Sequence, residues 1–570
     1  MVCLWRVWHR ARPVRRARRA ALLGAALGVI TLQAMAQSAP DTGRLMQDQE
    51  RLRQPEPMHR VPLPMLDEPA PPALQAADTL RLRVTAFRFS RNTLFSAATL
   101  ASQLADLIGQ ELSLADLNDA AARITAYYRE KGFFIASAYL AAQDIQDGVV
   151  EITILEGRLG KLQLENRSRV ADDVLQAYLS HLQPARPLAG DDLERALLLM
   201  NGLAGLEVQS TLKPGASVGS TDLDIRIAGQ ARSSGNVSLD DYGNRYTGAW
   251  RAGVQLNVNS PLSLGDSLAL RGYASDAHFS YARLAYQLPV GSDGLQLGGA
   301  WSSMAYRLGQ DFAALQAHGT ANIASAYALY PLQRSRISNV NLQLNVDQKR
   351  LDDRTDSTQT AAEKTVKLLT MGISGDHGDT LAGGGLTSWS LAYVRGQLRL
   401  DAAAQESDAA GHRTDGAYGK WSAMAGRQQS LTAVGPAWSF SGQVSAQLGG
   451  KNLDSSEKFA LGGVQGVRAY PQGEAACDDA WLANLELRYA WSPAWQLSGF
   501  YDAAAGRLNH AAIAADSNNH QSLSGAGLGA AYGQPGGVSL VAVMAWRTTR
   551  PATSDRDRMP RLWLNLQKYF

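Results

Sequence analysis

The sequence predicts a transmembrane antiparallel β-barrel of about 16 strands, preceded by two α+β repeats and an N-terminal helix. Three observations carry this prediction. After residue 230, glycine becomes frequent, and short segments alternate apolar and polar residues in place of helical periodicity. Between residues 79 and 230, the same order of predicted elements occurs twice. The first 36 residues have the pattern of a secretory leader, which would direct the chain out of the cytoplasm.

Residues 1–36 contain the three parts of a signal peptide. Seven arginines precede an apolar run at 20–32, and Ala34-Met35-Ala36 is a small-x-small cleavage site. The run is too short to cross a bilayer, which takes about 20 residues. The whole chain carries a net charge of +3, but without these seven arginines 48 basic and 52 acidic residues remain. The excess of positive charge therefore belongs to the leader and does not indicate nucleic-acid binding.

The sequence predicts no catalytic, metal or cofactor site. Cys3 lies in the leader, so Cys477 would be the only cysteine of the mature chain, which excludes an internal disulfide and a cysteine metal cluster. The nine histidines show no metal-binding spacing. Residues 215–219 match the nucleophile motif G-x-S-x-G, but Pro214 precedes them and a strand-like run follows. That context is typical of a hairpin turn, whereas a nucleophile elbow joins a strand to a helix.

The segment before the repeats is polar and then rich in proline. Residues 37–54 predict a short helix whose apolar stripe is narrow, with Leu45, Met46 and Leu52 on it. Such a helix does not fold alone on propensity. It is therefore either a disordered terminus or a helix lodged in a water-filled lumen. Residues 55–78 contain seven prolines and predict an extended linker.

Two similar units follow, at 79–157 and 158–230. In the first, an alternating strand at 80–86 precedes two helical segments, and two further strands are predicted at 133–140 and 149–155. The second unit repeats this β-α-α-β-β order more loosely. Tandem units of the same order indicate an internal repeat.

Residues 231–570 predict the barrel itself. At roughly 21 residues per strand and connection, this length allows about 16 strands, an even number as in bacterial barrels. The last segment shows the pattern most clearly, because Leu564 and Leu566 alternate with Asn565 and Gln567. A soluble β-sandwich is the alternative. The leader and the final aromatic strand favour a barrel with a lipid-facing and a lumen-facing side.

A glycine-rich stretch at 459–474 carries a single arginine, Arg468, with an aromatic residue two positions later. In a closed barrel, a long loop of this kind can fold inward. Its charge then needs a partner, because an unpaired charge away from water is costly. Asp502, in the strand-like segment 497–506, is the predicted partner.

Together these segments resemble a known family, the outer-membrane transporters of two-partner secretion, of the haemolysin secretion/activation type. The similarity extends over nearly the whole mature chain. Residues 127–134 (YYREKGFF) and 155–158 (LEGR) resemble the first POTRA domain of the family, and the second repeat is similar to its second POTRA domain. Residues 240–248 (DDYGNRYTG) resemble the first barrel hairpin, and 330–336 (YPLQRSR) is another run typical of the family.

The resemblance also assigns the stretch around Arg468. The inward loop of the family carries Val-Arg-Gly-Tyr/Phe, and residues 467–470 read VRAY here. The facing motif is Phe-x-Asp-x-Gly, and residues 500–504 read FYDAA. Alanine thus replaces both glycines, which puts the local backbone in question, since a glycine at positive φ cannot become alanine without strain. The site residues that the resemblance implies are Val467, Arg468, Ala469, Tyr470, Phe500 and Asp502.

The resemblance implies a function without catalysis. An outer-membrane pore would recognise an unfolded partner exoprotein of the haemagglutinin, haemolysin or adhesin type through its periplasmic POTRA domains. It would pass this protein to the cell surface without ATP, with the 37–54 helix as a plug. Exposed strand edges and a groove beside a helix would bind the substrate. The candidate substrate-binding residues of the first POTRA domain are Tyr128, Phe133, Phe134 and Tyr139.

The other expected partners are outer-membrane lipid, lipopolysaccharide and the barrel-assembly machinery for insertion of this chain. No nucleic acid is expected. Two alternative functions stay open. An insertase that folds other outer-membrane proteins would share the barrel, the POTRA domains and the inward loop. A passive porin would share the barrel but would have no use for the repeats.

Overall fold

The computed structural model describes residues 39–51, 65–66, 81–182, 186–217, 219–516 and 518–570. The predicted signal peptide at 1–36, Leu52 and most of the predicted linker at 55–78 lie outside the described residues. The described chain forms an N-terminal helix, two α+β units and a closed barrel. Within these ranges, the structure contains no helix of the length and apolar character needed to cross a membrane.

Helix α1, Thr42–Arg51, lies inside the barrel. Asp41 precedes its first turn, and the Asp41 carboxylate accepts a hydrogen bond from the backbone N–H of Arg44 at 3.0 Å. The predicted apolar side chains Leu45 and Met46 are 3% and 2% exposed and pack against inward-facing residues of the barrel wall. The narrow stripe is sufficient because only this side of the helix meets apolar residues.

The first α+β unit combines a three-stranded sheet, two helices and a separate strand pair. Its elements are β2 (Arg81–Arg83), β3 (Ala86–Ser90), α2 (Ala97–Ser102), β4 (Glu111–Ser113), α3 (Leu114–Glu130), β5 (Ser137–Tyr139) and β6 (Val149–Leu155). In the sheet, β6 is central, parallel to β3 and antiparallel to β5. A capping box begins α3: Asp116 accepts from the backbone N–H of Ser113 at 2.8 Å, and Ser113 accepts from the backbone N–H of Asp116 at 3.2 Å.

The strand predicted at 80–86 is divided in the structure, because β2 and β3 belong to different sheets. Between them, the backbone changes partners: the N–H of Val84 donates to Gln110 at 3.0 Å, and the N–H of Thr85 donates to Gly148 at 2.8 Å. The strand predicted at 133–140 is also shorter than expected, since turns precede Ser137. Apolar alternation does not reveal a change of hydrogen-bond partner along one extended segment.

The second α+β unit shows the predicted β-α-α-β-β order. Its elements are β7 (Arg158–Arg167), α4 (Asp172–Leu179), α5 (Gly190–Asn201), β8 (Leu206–Pro214) and β9 (Ser220–Gly229). A short strand from the predicted linker, β1 (Met65–Leu66), joins its sheet in parallel beside β8. The described residues of the G-x-S-x-G segment, 215–217 and 219, lie between β8 and β9, where the N–H of Gly215 donates to the Ser220 carbonyl at 2.9 Å. The strand–turn–strand context agrees with the hairpin interpretation.

Sixteen antiparallel strands of the described chain form a closed barrel in which neighbours in sequence are also neighbours in space. They are β10 (Ser233–Asp240), β11 (Arg251–Asn259), β12 (Ser267–Ser275), β13 (Phe279–Val290), β14 (Leu295–Arg307), β15 (Ala317–Arg334), β16 (Ser338–Thr355), β17 (Thr360–Asp379), β18 (Gly385–Leu400), β19 (Gly416–Ser430), β20 (Trp438–Gly449), β23 (Asp479–Ala490), β24 (Trp495–Arg507), β25 (His520–Gly533), β26 (Val538–Arg547) and β27 (Arg561–Tyr569). Two short strands, β21 (Phe459–Ala460) and β22 (Ala476–Cys477), lie between β20 and β23 in the chain and form a separate two-stranded sheet. A further helix, α6 (Ala402–Ala410), lies between β18 and β19.

The barrel closes between its first and last strands. This seam pairs five residues of β10 with five of β27, from Asn236↔Tyr569 to Asp240↔Asn565. Outward and inward positions alternate along β27 as predicted: Leu562 is 59% exposed, whereas Asn565 is 8% exposed. Trp563 also faces the lumen and is buried. Its place inside the barrel follows from the period of two and not from residue type.

One end of the barrel rests on the second α+β unit. Ser260, in the turn between β11 and β12, donates to the Ala204 carbonyl at 2.5 Å. Arg195 of α5 donates to the carbonyl of Asp293, between β13 and β14, at 3.2 Å. The N–H of Arg336, between β15 and β16, donates to Glu194 at 2.8 Å. The second unit therefore lies across this opening of the lumen.

Candidate functional site

The inward loop, residues 459–477, joins β20 to β23 and folds into the lumen. Its base is the strand pair β21–β22, with Phe459 opposite Cys477. Two backbone hydrogen bonds shape its tip, from Val467 N–H to Leu461 at 2.8 Å and from Tyr470 N–H to Val467 at 3.0 Å. Val467 and Tyr470 are fully buried. The apolar residues around Arg468 therefore pack inside the protein and hold the backbone of the tip in place.

The structure brings Arg468 of this loop to Asp502 on β24. The guanidinium donates from Nε and Nη2 to the two carboxylate oxygens at 2.9 and 2.8 Å, and the backbone N–H of Arg468 adds a third hydrogen bond at 3.0 Å. Asn484 of β23 donates to the same carboxylate at 2.8 Å. Asp502 is 0% exposed. Because no water reaches this buried carboxylate, its charge is stabilised only while all four hydrogen bonds are present.

Two further groups surround the Arg468 guanidinium. Glu486 accepts from its Nη1 at 2.7 Å, and Glu486 also accepts from Arg488 at 2.8 Å. The guanidinium carbon lies 3.4 Å from the ring centroid of Phe500. Asn484 and Glu486 were not predicted from the sequence. A signal was present, because Asn484, Glu486 and Arg488 alternate with leucines and so share the lumen face of β23.

The alanines at the two motif glycine positions cause no backbone strain. Neither Ala469 nor Ala504 is among the residues with positive φ, and both are buried. The methyl group of Ala469 fits because Gly525 of β25 faces it: a Cβ built on Gly525 would lie 2.5 Å from the Ala469 Cβ. The backbone here is one that alanine adopts freely, and the small residue needed at this contact is Gly525.

A second anchor holds the inward loop near its base. Glu474 is 0% exposed, and its carboxylate accepts from the backbone N–H groups of Thr553 and Ser554 at 3.0 and 2.8 Å. Arg550 lies 2.9 Å from the same carboxylate, and its carbonyl accepts from the Tyr470 hydroxyl at 2.6 Å. These contacts tie the loop to the segment between β26 and β27, next to the seam of the barrel.

Polar contacts hold the N-terminal end of α1 against the wall. The backbone N–H of Thr42 donates to Asp353 of β16 at 2.9 Å. Lys364 of β17 lies 3.4 Å from Asp41 and 3.0 Å from Asp454, the residue before a 3-10 turn at 455–457. All of these groups are hydrophilic, so water can form hydrogen bonds with each of them in place of the present contact.

Helix α1 also touches the inward loop. The Arg44 guanidinium donates to the backbone carbonyl of Gly473, next to the Glu474 anchor. Gly43 allows a second close approach, to the 3-10 turn just before this loop, since a Cβ there would lie 2.8 Å from the backbone nitrogen of Ser456. The helix and the loop therefore occupy the lumen as one contacting body.

The comparisons with known proteins decide the family. The family model described as "Haemolysin secretion/activation protein ShlB/FhaC/HecB" matches residues 219–532, and a POTRA domain model of the ShlB type matches residues 82–157. The chain belongs to this family. Its barrel is an outer-membrane barrel, its two α+β units are POTRA domains in the periplasm, and the family translocates partner proteins across the outer membrane.

Individual relatives agree with the family over most of the chain. The chain is 27% identical over 556 residues to the "Heme/hemopexin transporter protein HuxB" of Haemophilus influenzae, covering 95% of this chain and 97% of that protein. Its fold matches a solved structure of CdiB from Escherichia coli with a TM-score of 0.71 at 18% identity, covering 98% and 100% of the two chains. A solved structure of BamA from Haemophilus ducreyi lacking POTRA domains 1-3 matches with a TM-score of 0.51 at 14% identity, covering 86% and 100%.

The first POTRA domain uses Tyr128 in its core. Tyr128 is 1% exposed, and its ring packs edge-on against Phe95 at 4.9 Å between centroids. Burial raises the pKa of the Tyr128 hydroxyl above 10, and Glu156, which accepts from it at 3.0 Å, raises it further. The hydroxyl thus stays protonated and keeps donating. A side chain this deeply buried has no surface to offer a substrate.

The other three predicted aromatic residues occupy different positions. Phe133 packs partly against the core of the first POTRA domain. Phe134 packs partly against the core of the second, where the N–H of Gly190 donates to Gly132 at 2.9 Å. Tyr139 lies on β5, an edge strand of the described sheet. The binding prediction for this domain therefore depends mainly on Tyr139 and the β5 edge.

Replacing Glu156 by alanine is expected to destabilise the first POTRA domain. Glu156 accepts from the backbone N–H groups of Thr93 and Leu94 at 2.6 and 2.8 Å as well as from Tyr128. Leaving these donors buried and unpaired costs on the order of 3 kcal/mol. Hydrogen exchange of the β6 amides in the full chain should accelerate accordingly. Glu151→Ala, within β6 itself, is the control, and equal exchange in both variants would contradict the prediction.

Proposed function

We propose that this protein exports one dedicated partner protein of the haemagglutinin, haemolysin or adhesin type. The partner arrives unfolded in the periplasm, adds to an exposed POTRA strand edge and passes through the barrel to the cell surface without ATP. The observation that supports this best is the content of the lumen: a short helix and a loop, both held by polar contacts, fill a pore whose periplasmic opening contacts the second POTRA domain. The transport forms and breaks no covalent bond.

The edge of β5 supports the recognition step. In the described sheet β5 pairs only with β6, and on its other side the Thr125 hydroxyl of α3 accepts from the Ala138 N–H at 2.9 Å, so an incoming strand would replace this one side chain. Backbone hydrogen bonds accept almost any sequence, which suits an unfolded chain. Helix α1 then leaves the lumen, and the Arg468–Asp502 contact holds the inward loop against the wall. The exposed leucines and tryptophans of the outer face would contact outer-membrane lipid and lipopolysaccharide, and the barrel-assembly machinery would insert the barrel.

The test is a comparison of culture supernatant and surface proteins, by mass spectrometry, between the parent strain and a strain without this gene. Loss of one large secreted protein with unchanged levels of other barrels is expected. A joint fall of many barrels would favour the insertase. No change, with the candidate partner shown to be expressed, would reject the transport proposal and favour a porin.

A disulfide across the seam of the barrel provides a second experiment that distinguishes an exporter from an insertase. Leu239 and Leu566 face each other across it and are both exposed on the outer face. Cysteines at these two positions should form a disulfide, because directly opposite residues in an antiparallel pair lie within disulfide reach. An exporter that uses the lumen should secrete normally with a locked seam. Loss of secretion in the double variant, restored by reductant and absent in each single variant, would contradict passage through a closed barrel.

A further inference from the structure

A cavity of about 780 Å³ lies between the second POTRA domain and the barrel wall. On its periplasmic side it is lined by apolar residues of α5 and the turn after it, among them Leu198, Leu199 and Leu203. Its other lining residues belong to the barrel strands and their turns, apart from Tyr178 of α4 and Gln465 of the inward loop. We call this cavity the vestibule. A polypeptide that enters the lumen from the periplasm must cross it.

The barrel side of the vestibule is rich in hydrogen-bond donors. Nine of the lining residues are asparagine or glutamine, and four are arginines, namely Arg251, Arg271, Arg283 and Arg334. Among the lining residues, the only carboxylate is Asp240, which already pairs with Arg251 at 2.8 Å. The lining thus has a net charge of +3. Side-chain amides bind peptide groups, and guanidinium groups bind carboxylates in a planar, two-pronged geometry.

Helix α1 already occupies the inner end of this donor surface. Gln49 accepts from Nη1 of Arg251 at 3.0 Å. Glu50 accepts from the Tyr281 hydroxyl at 3.0 Å and lies 3.7 Å from the Arg283 guanidinium. Arg251 and Arg283, which contact the helix, are therefore two of the four arginines that line the vestibule. In the resting protein they bind one amide and one carboxylate of the chain itself.

We infer that the vestibule wall is a binding site for the carboxylate and amide side chains and the peptide carbonyls of an extended polypeptide, and that Gln49 and Glu50 occupy its inner end until α1 leaves. The inference rests on the proposed function, since it names the chemistry that the transported chain offers. Departure of α1 removes the carboxylate beside Arg283, and an acidic side chain of the incoming segment replaces it. A lysine-rich segment meets like charge at the same place.

The arrangement suits transient binding better than tight binding. Ser302 accepts from Nη1 of Arg283 at 2.9 Å and Tyr273 accepts from Nε of Arg271 at 2.8 Å, so both guanidinium groups are oriented without α1. The vestibule is also large enough to stay hydrated, and salt screens charges in such a site. A passing segment is held by several replaceable hydrogen bonds, which lets it move on.

The experiment measures equilibrium binding of three labelled, unstructured peptides to the full-length mature protein in detergent. The peptides share a glycine–serine frame and carry glutamate, glutamine or lysine at the same positions. At low salt, the glutamate peptide is expected to bind about tenfold more tightly than the lysine peptide. The difference should shrink in high salt. Equal binding of both, or tighter binding of the lysine peptide, would overturn the inference.

Two variants locate the effect. Arg271→Gln combined with Arg283→Gln should reduce binding of the glutamate peptide to that of the glutamine peptide, whereas Arg413→Gln combined with Arg558→Gln, which removes two charges from exposed loops, should not. Glu50→Gln weakens the internal competitor, so the glutamate peptide should bind more tightly to that variant. Unchanged binding in the double arginine variant and in Glu50→Gln would refute the site.

The two proposals fail in different ways. Charge preference in the peptide assay together with no protein lost from the supernatant of the gene-deletion strain would leave the vestibule site standing and reject the export function. A lost supernatant protein without charge preference would reject the vestibule site alone.

Discussion

Arg468→Ala is expected to abolish secretion of the partner protein, whereas Arg488→Ala should reduce it only slightly. The alanine variant removes two of the four donors to Asp502 and leaves a fully buried carboxylate with an incomplete set. Removing one member of a buried ion pair costs about 3–5 kcal/mol, enough to release the loop tip from the wall. Secretion is measured by quantitative immunoblot of the supernatant once the partner is identified.

Arg488 is a matched control because it contacts the same Glu486 but not Asp502, and its side chain is 33% exposed. Equal loss of secretion in both variants would show that lumen charge matters more than the loop contact. Barrel levels in the outer membrane must be equal for the comparison to hold.

Exchange of the two charges, Arg468→Asp with Asp502→Arg, is expected to restore secretion only in part. An aspartate at position 468 would stand beside Glu486, which now accepts from the Arg468 guanidinium at 2.7 Å. Like charges this close oppose each other. Adding Glu486→Gln to the exchanged pair should improve the rescue. Full rescue without that third change would mean that Glu486 turns away from position 468.

Deletion of residues 39–51 is expected to raise the ion conductance of the barrel several-fold and to make it steady. The deleted segment contains α1, which fills the lumen and contacts the wall at Asp353, Lys364 and Arg251. No hydrogen bond within the barrel strands depends on it, so the barrel should remain closed and inserted. Single-channel recording in planar bilayers measures the effect.

The matched control replaces α6 by a glycine–serine segment of equal length. This helix of nine residues has no buried residue and lies in the loop between β18 and β19. Its replacement should leave conductance unchanged. An unchanged conductance after deletion of α1 would mean that the inward loop alone closes the lumen.

The barrel was predictable because its signals are local. Alternation, glycine content and length gave the class of fold and the number of strands, and β27 shows the predicted faces. The β-α-α-β-β repeats were readable for the same reason. The division of β2 from β3 was not, since both halves of residues 80–86 are extended and only the hydrogen-bond partner changes.

The candidate site was readable only in part. Arg468 and Asp502 were predicted from the lone charge in a glycine-rich loop and from the resemblance, and the structure brings them together. Glu474 gave no comparable signal, because its partners Thr553 and Ser554 lie about eighty residues further on in a loop without periodicity. The contact between Arg44 and Gly473 joins segments from opposite ends of the chain, and no pattern in either segment points to the other.

The rim of the barrel has very unequal height. At the seam, β10 and β27 have 8 and 9 residues, whereas β16 and β17 have 18 and 20, so the strands of the β16–β17 wall are roughly 30–40 Å longer than those at the seam. Because the opposite opening rests on the periplasmic domains, the extra length stands on the outside of the cell. A protein leaving the lumen thus emerges beside the long strands β16 and β17 on one side and beside the short strands of the seam on the other. Antibodies or phage that recognise the turn at 356–359 would bind far from the membrane, at the outer end of the β16–β17 wall.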